Sequence, residues 1–357
     1  MKLPKPPETS TDDKKPKSTW DTIVTSTPVV MAVLATILAG LSASEGSQSQ
    51  YYRSLAAQNQ SKAGDQWGFF QAKKLRSANS GGNVELLQNL MDVSALNPDS
   101  FPAVAAQMIA KLEAVGTTAD VLAKLKAEIG RHIAGASQAI VVMTAVLPPA
   151  PELTLSDTGI RQAYEALKKN GGESVPPSLF GSVSDTALHD ALRAADQSAR
   201  ADDIVLQPAT EAIKQLQTSI GGLSALAATV RRPTTQSSLE ASLSGAFDRR
   251  SPDDIRRLAA DFSAAKLRFD VARYDRESKL NQQTAYLYEI AVRKAGWQSD
   301  RSRIRSRYFF YGMLGAQAAV TIATLSLAVR ERSWMWSVAA AIGLMAVSYA
   351  GYVYVFT

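Results

Sequence analysis

The chain has 357 residues, of which 46% are hydrophobic and only 20% are charged, and this is apolar for a soluble protein. It has no cysteine, so disulfides, thiolate metal sites and cysteine nucleophiles are excluded. A net charge of +6, from 39 basic and 33 acidic residues without interleaved aromatic side chains, does not suggest binding to nucleic acid.

Residues 1–19 are rich in Pro, Lys, Asp and Thr and predict a disordered tail. The uncharged apolar run that follows, residues 22–43, is long enough to cross a hydrocarbon core about 30 Å thick and predicts a first transmembrane helix. A cleaved signal peptide is the alternative, because lysines precede the run, but the run is longer than a signal-peptide core. Thr27 and Pro28 have the chemistry of a helix start, an N-cap followed by the first helical position.

The helix is expected to leave the membrane as a first arm, residues 44–78, and to stop at "NSGGN", residues 79–83. The arm carries "AGDQWGFFQAKKLR", in which Trp67 and Phe70 fall on one helical stripe. We expect this stripe to pack against a helix that returns to the membrane. A platform for a ligand is the alternative interpretation.

Residues 82–250 predict an inserted head of short amphipathic helices separated by turn clusters. Within the head, residues 139–147 ("AIVVMTAVL") are compatible with a strand, but they continue a helical pattern without a break, which favours a buried helix end. Helices are predicted for residues 84–96, 101–115, 118–145, 157–170, 184–201, 208–230 and 237–247.

The second arm, residues 251–307, begins with an N-cap serine, a proline and two aspartates, which is helix-start chemistry. Counted outward from the membrane, Trp67 should meet this arm near Tyr286 and Leu287, whereas the extra length of the second arm should pack against the head. The predicted stalk-packing residues are Trp67, Phe70, Phe262, Phe269, Tyr286 and Leu287.

Two further apolar runs, residues 308–329 and 333–356, predict a second and a third transmembrane helix, joined by the short loop "RER". Small residues recur at helical spacing in each span, and helices in lipid associate through close backbone approach, so these residues predict a tight bundle or contacts between copies of the chain. Gln317 is the one strongly polar side chain in these runs and is expected to hydrogen-bond between helices. The predicted membrane-helix packing residues are Ala32, Ala39, Gly312, Ala316, Ala319, Ala339 and Gly343.

These patterns predict an all-α membrane protein with three transmembrane helices, an antiparallel two-helix stalk and an inserted α-helical head. The lysine-bearing tail and the "RER" loop lie on one side of the membrane, which favours a cytoplasmic position for both and a head outside the cytoplasm. A cluster of arginines before the second span, on the head side, argues against this orientation. These arginines are candidates for contact with lipid headgroups, and a solvated helix end is the alternative. They are Arg301, Arg303, Arg305 and Arg307.

The first span with its arm, and the last two spans with the long helix that enters them, resemble the bacterial membrane family catalogued as domain of unknown function 4337. The resemblance covers about the first 80 and the last 100 residues, and it implies a helical hairpin in a bacterial membrane, which we expect to be the inner membrane, without implying an activity. The long middle region departs from it and is interpreted as an insertion. The matching positions are Asp65, Gln66, Trp67, Phe69, Phe70, Gln71, Ala72 and Lys73, with Arg330, Arg332 and Trp334 near the end.

Residue patterns for catalysis are weak. Glu128 with His132, and Asp185 with His189, have a spacing compatible with two metal ligands, but surface pairing is the favoured interpretation because neither pair has further ligands nearby in sequence. The acidic pair at residues 202 and 203 is interpreted as solvated charge.

We therefore expect no enzymatic activity and no cofactor. The favoured role is a membrane-anchored scaffold or accessory subunit that contacts lipids and binds unidentified proteins or further copies of itself. A sensor with a ligand-binding head is the alternative. A transporter or a membrane enzyme is disfavoured, since one polar residue in three spans offers no pathway.

Overall fold

The computed structural model describes residues 19–114, 118–170, 175–231, 251–328 and 332–356. Nearly all of these residues are helical and none of them lies in a strand, which confirms the all-α fold. The predicted tail, the helix at 237–247 and the "RER" loop lie wholly or mostly outside the described residues. The helices are α1 (Thr19–Leu90), α2 (Ser100–Ala114), α3 (Ala119–Ile133), α4 (Ala136–Thr144), α5 (Thr158–Asn170), α6 (Pro177–Gly181), α7 (Asp185–Arg231), α8 (Ser251–Ala328) and α9 (Arg332–Phe356).

Three helices among the described residues, α1, α8 and α9, are long and apolar enough to cross a membrane, as the sequence predicted. The predicted helix start at Thr27 and Pro28 is wrong, because α1 begins at Thr19 and Pro28 lies inside it. The Thr27 hydroxyl donates a hydrogen bond to the Ile23 carbonyl oxygen, 2.7 Å away.

The expected break at residues 79–83 does not occur, and α1 continues to Leu90. Each glycine inside a helix costs about 1 kcal/mol relative to alanine, so residues 81 and 82 disfavour helix without forbidding it. The inner face of α1 on either side of them is buried at Ser77, Ser80 and Val84. Tertiary packing of this face outweighs the local preference.

Further helix boundaries differ from the prediction, and the helix predicted to end at residue 96 ends at Leu90. The helix predicted at 118–145 is divided at Gly135, whose φ of 76° lies in the left-handed region that favours glycine. The helices predicted at 184–201 and 208–230 are one helix, α7, with Pro208 inside it. Of residues 139–147, those up to Thr144 are helical within α4, as favoured over a strand, whereas residues 145–147 lie beyond the helix and Val146 is 96% exposed.

The chain divides into two compact units. The membrane unit contains the described residues of Met1–Asn59, Pro176–Ser182 and Ala291–Thr357. Within it, α1 and α8 run antiparallel, because Ser42 bonds Ser306 whereas Ser49, further along α1, bonds Ser299, which lies earlier in α8.

The head unit contains the described residues of Gln60–Val175 and Val183–Ile290. Its hydrophobic core joins α2, α3, α4 and α7 to the beginning of α8. Phe262 and Phe269, which the sequence predicted to be stalk-packing residues, belong to this core instead. The reason is that their side of α8 packs against the head helices.

Candidate functional site

The aromatic residues of the first arm form a cluster in the head unit. Trp67 contacts Tyr286 edge to face, with ring centroids 5.2 Å apart, and it contacts Phe70 at 5.6 Å. Tyr164 of α5 packs on the other side of Tyr286 at 5.4 Å. Leu287, the next residue of α8, is fully buried. The cluster therefore ties α1, α5 and α8 together, and Tyr164 is the member that the sequence did not indicate.

Burial changes the chemistry of this cluster. It raises the pKa of the Tyr164 hydroxyl to about 12, with smaller contributions from Tyr286 and from Glu152. A phenol that remains protonated is suited to packing rather than to proton transfer near neutral pH. We call the cluster of Trp67, Phe70, Tyr164 and Tyr286 the aromatic clasp, because it packs three helices against one another.

Charged residues extend the contact between α1 and α8. Lys73 forms an ion pair with Glu277, which also accepts a hydrogen bond of 2.6 Å from Arg273 Nε. One turn further, the Ser77 hydroxyl donates to Asp275 over 3.1 Å. Lys73 of the "QAKKLR" part of the motif, and Ser77 directly after it, therefore have partners on α8.

A buried ion pair joins α7 to α8. Arg276 Nε donates to Asp202 Oδ1 over 2.9 Å, and the two side chains are 8% and 2% exposed. The interpretation of Asp202 as solvated charge is wrong, because it lies on the buried face of α7, whereas Asp203 is exposed. Asp202 Oδ2 and Arg276 Nη1 are both buried without a hydrogen-bond partner in the described structure.

The two histidines lie in separate places. His132 packs against Gly222 so closely that a Cβ there would overlap the imidazole ring, and His189 Nδ1 lies 3.5 Å from Arg193. Glu128, the proposed partner of His132, lies 3.9 Å from Arg131 instead. No group of three or more residues that could hold a metal ion occurs in the described parts of the chain.

The membrane unit packs through small and hydroxyl-bearing residues. Of the predicted packing residues, those on α8 and α9 are buried, namely Gly312, Ala316, Ala319, Ala339 and Gly343. On α1 the packing within the chain does not use the predicted face, since Ala32 is exposed and Ala39 is only half-buried. The buried face instead carries Thr27, Ala35 and Leu38, and the Thr27 hydroxyl accepts a hydrogen bond of 2.9 Å from the Trp336 indole.

The four arginines before the second span differ from one another. Arg305 lies 3.8 Å from Glu45 of α1 and is partly buried, which favours an ion pair within the chain over contact with lipid headgroups. Arg301 stacks on the Trp297 ring at 5.5 Å. Arg303 and Arg307 are exposed and remain the lipid-headgroup candidates.

The last part of α1, residues 75–90, is called its outer segment. It exposes a leucine row, defined as Leu75, Leu86 and Leu90. Their exposed fractions are 63%, 57% and 73%. At 3.6 residues per turn, the three leucines fall within about 60° of one another around the helix. The face between them is open, because a Cβ added to Gly82 would meet no atom within 4 Å. Sequence reasoning missed this row because it ended the first arm at residue 78 and placed Leu86 and Leu90 in a separate helix.

The head unit also contains a cavity of about 400 Å³ beside α4 and α8. Its walls are mainly apolar and include Leu96, Met143 and Phe269. Arg268 lines it as the one charged residue. This size lies within the range of small-molecule pockets, which is about 300–1,000 Å³.

Comparison with known proteins supports the resemblance inferred from the motifs. A family model described as a domain of unknown function (DUF4337) matches residues 20–139. The match begins at the first span, includes the Trp67 motif and extends into the head beyond the expected limit near residue 80. It ends within α4, so the likeness around Trp334 stays a prediction. No curated protein and no solved structure matches the chain. Over residues 20–139, the chain is therefore similar to a family of unknown function.

Proposed function

We propose that this protein is a non-catalytic, membrane-anchored helical scaffold or accessory subunit. It takes part in a membrane complex by binding an amphipathic helix of another protein on the outer segment of α1. The leucine row is the observation that carries this proposal. Single exposed apolar residues are common on protein surfaces, but three leucines spaced by about three turns and by about one turn on one open helix face offer anchor points for a docking helix.

The row is separate from the packing face of the same helix. Ser77, Ser80 and Val84 are buried, whereas Leu75 and Leu86 are exposed on the other side of α1. The aromatic clasp and the ion pairs with α8 hold this segment of α1 in place before a partner binds. A rigid helix loses little conformational entropy on binding, which favours affinity.

The experiment is affinity purification from native membranes, followed by mass spectrometry. The triple variant Leu75→Gln, Leu86→Gln, Leu90→Gln is compared with wild type. The control is Phe69→Gln, an apolar residue that is 55% exposed and lies about 60° or more around α1 from each leucine of the row. Wild type and Phe69→Gln should retain the same partner, and the triple variant should lose it. Equal sets of proteins on all three would contradict the proposal.

The proposed location is the bacterial inner membrane, with the head outside the cytoplasm. The cysteine-free chain makes this testable, because one introduced cysteine is the only thiol. Phe69→Cys should react with a membrane-impermeant maleimide in cells whose outer membrane alone is permeabilised. Labelling that occurs only after rupture of the inner membrane would show that the head lies in the cytoplasm.

A sensor is the second candidate, and the cavity beside α4 and α8 favours it. Apolar walls with one guanidinium fit an amphipathic anion such as a fatty acid. Purified protein should bind a fluorescent fatty acid, and Arg268→Gln should weaken the binding. Ala272→Trp, at a position that lines the cavity, should abolish it by filling the space. Unchanged binding by both variants would exclude this site.

A further inference from the structure

The second span has an outward face with a regular pattern. Its inner face is buried at Phe309, Ala316 and Ala323. On the opposite side, exposed residues recur at alternating spacings of four and three, which is the spacing of a helix that packs along a partner helix. This outward stripe consists of Phe310, Leu314, Gln317, Thr321, Thr324 and Ala328.

Gln317 is the polar centre of the outward stripe. It lies near the middle of residues 308–328 and is exposed. The Thr321 and Thr324 hydroxyls donate to the carbonyl oxygens of Gln317 and Val320, at 3.1 and 2.8 Å, so they are satisfied within their own helix. In the described structure, no hydrogen bond joins the Gln317 side chain to another residue. Lipid tails offer an amide neither a donor nor an acceptor, so this group needs a partner in the membrane.

A second copy of the chain supplies the complementary groups. A carboxamide has both N–H donors and a carbonyl acceptor, so the same residue on a parallel helix is a matched partner. Copies inserted in the same orientation present the stripe in the same direction, which permits a two-fold symmetric contact. Exposed threonines and alanine in the second half of the stripe are small enough for close backbone approach.

We propose that two copies associate through the outward stripe of α8, with the Gln317 amides hydrogen-bonded across a two-fold axis. This dimer rests on the proposed scaffold function, to which it adds a second copy as a partner within the membrane. The dimer contact lies in the membrane unit, whereas the leucine row lies in the head unit. Loss of one contact can therefore be distinguished from loss of the other.

Disulfide cross-linking in native membranes tests the contact, because the wild-type chain has no cysteine. Leu314→Cys and Thr321→Cys, each as the only cysteine, should form disulfide-linked dimers on oxidation. Val33→Cys is the matched control, since Val33 is also near the middle of a span and is 55% exposed, but on α1. Cross-linking of the α8 variants no stronger than that of Val33→Cys would overturn the proposal.

A second measurement tests the role of the amide. Dimerisation of labelled protein, titrated in lipid vesicles by energy transfer, should weaken about 3- to 30-fold in Gln317→Leu, which is typical of one interhelical hydrogen bond in a membrane. Gln317→Asn should retain most of the affinity, because it keeps the amide. An affinity of Gln317→Leu equal to wild type would overturn the role of the amide. The triple leucine-row variant should dimerise normally in the same assay.

Discussion

The indole ring of Trp67 and the phenol ring of Tyr286 meet edge to face, with an angle of 87° between their planes. One residue belongs to the helix that leaves the first span, and the other belongs to the helix that leads into the second. Their contact fixes the register of α1 against α8 inside the head unit. The leucine row begins at Leu75, about two turns after Trp67 along α1.

Trp67→Ala should destabilise the head unit by about 2–4 kcal/mol, because it removes two edge-to-face ring contacts and leaves a gap beside Tyr286. Thermal unfolding followed by circular dichroism in detergent measures the effect. Phe69→Ala removes a neighbouring aromatic ring that is exposed, and should leave the midpoint nearly unchanged. Equal midpoints for the two variants would show that the clasp contributes nothing.

Tyr164 should make stability depend on pH at the alkaline end. Its folded-state pKa of about 12 lies above the ordinary value of 10.0, so the protonated phenol is favoured by folding. Stability from this group is fully present below the ordinary value and is lost as pH rises through the folded-state value. Between these pH values, the melting temperature of wild type should fall more steeply than that of Tyr164→Phe. Parallel curves of melting temperature against pH for wild type and Tyr164→Phe would contradict the raised pKa of Tyr164.

Removing one member of the buried ion pair between Asp202 and Arg276 should lower the free energy of unfolding strongly. Removing both members should lower it much less. Arg276→Met or Asp202→Leu alone leaves an unpaired buried charge and should cost about 3–5 kcal/mol. The double variant removes both charges and should recover most of that loss. A double-mutant cycle on thermal stability measures the coupling, and strictly additive losses would contradict the pairing.

Gly135 and Gly130 should respond to alanine in opposite directions. Gly135 has φ of 76°, so alanine there should cost about 1–2 kcal/mol from backbone strain. Gly130 lies inside α3 with open space around it, and alanine should stabilise the helix by about 1 kcal/mol. Melting temperatures of both variants in the same detergent check this. A stabilising Gly135→Ala would show that the break between α3 and α4 does not need a left-handed residue.

The sequence predicted the fold class because long apolar runs and helical periodicity are local signals. Counting outward from the spans also predicted that Trp67 would lie level with Tyr286. Both arms are uninterrupted helices, so residue number converts directly into distance along them. The same reasoning failed at residues 81 and 82, where a local preference against helix was weaker than the packing on either side.

Which face of a helix is buried was harder to predict from the sequence. Alanine recurs on several faces of the first span, and Ala32 was chosen although Ala35 lies on the buried side. The hydroxyls of Thr27, Ser42 and Ser49 mark the correct face, because each has a hydrogen-bond partner on α8 or α9. Asp202 was misinterpreted for a related reason, since its partner Arg276 is distant in sequence and could not be foreseen.

Photo-cross-linking from the leucine row in intact membranes tests the scaffold proposal most directly. A photo-reactive amino acid in place of Leu86 should give a discrete adduct with another protein, and the same substitution at Phe69 should not. The adduct should disappear when Leu75 and Leu90 are both changed to glutamine. Identical adduct patterns from Leu86 and Phe69, or no adduct from Leu86, would contradict a docking surface on the outer segment of α1.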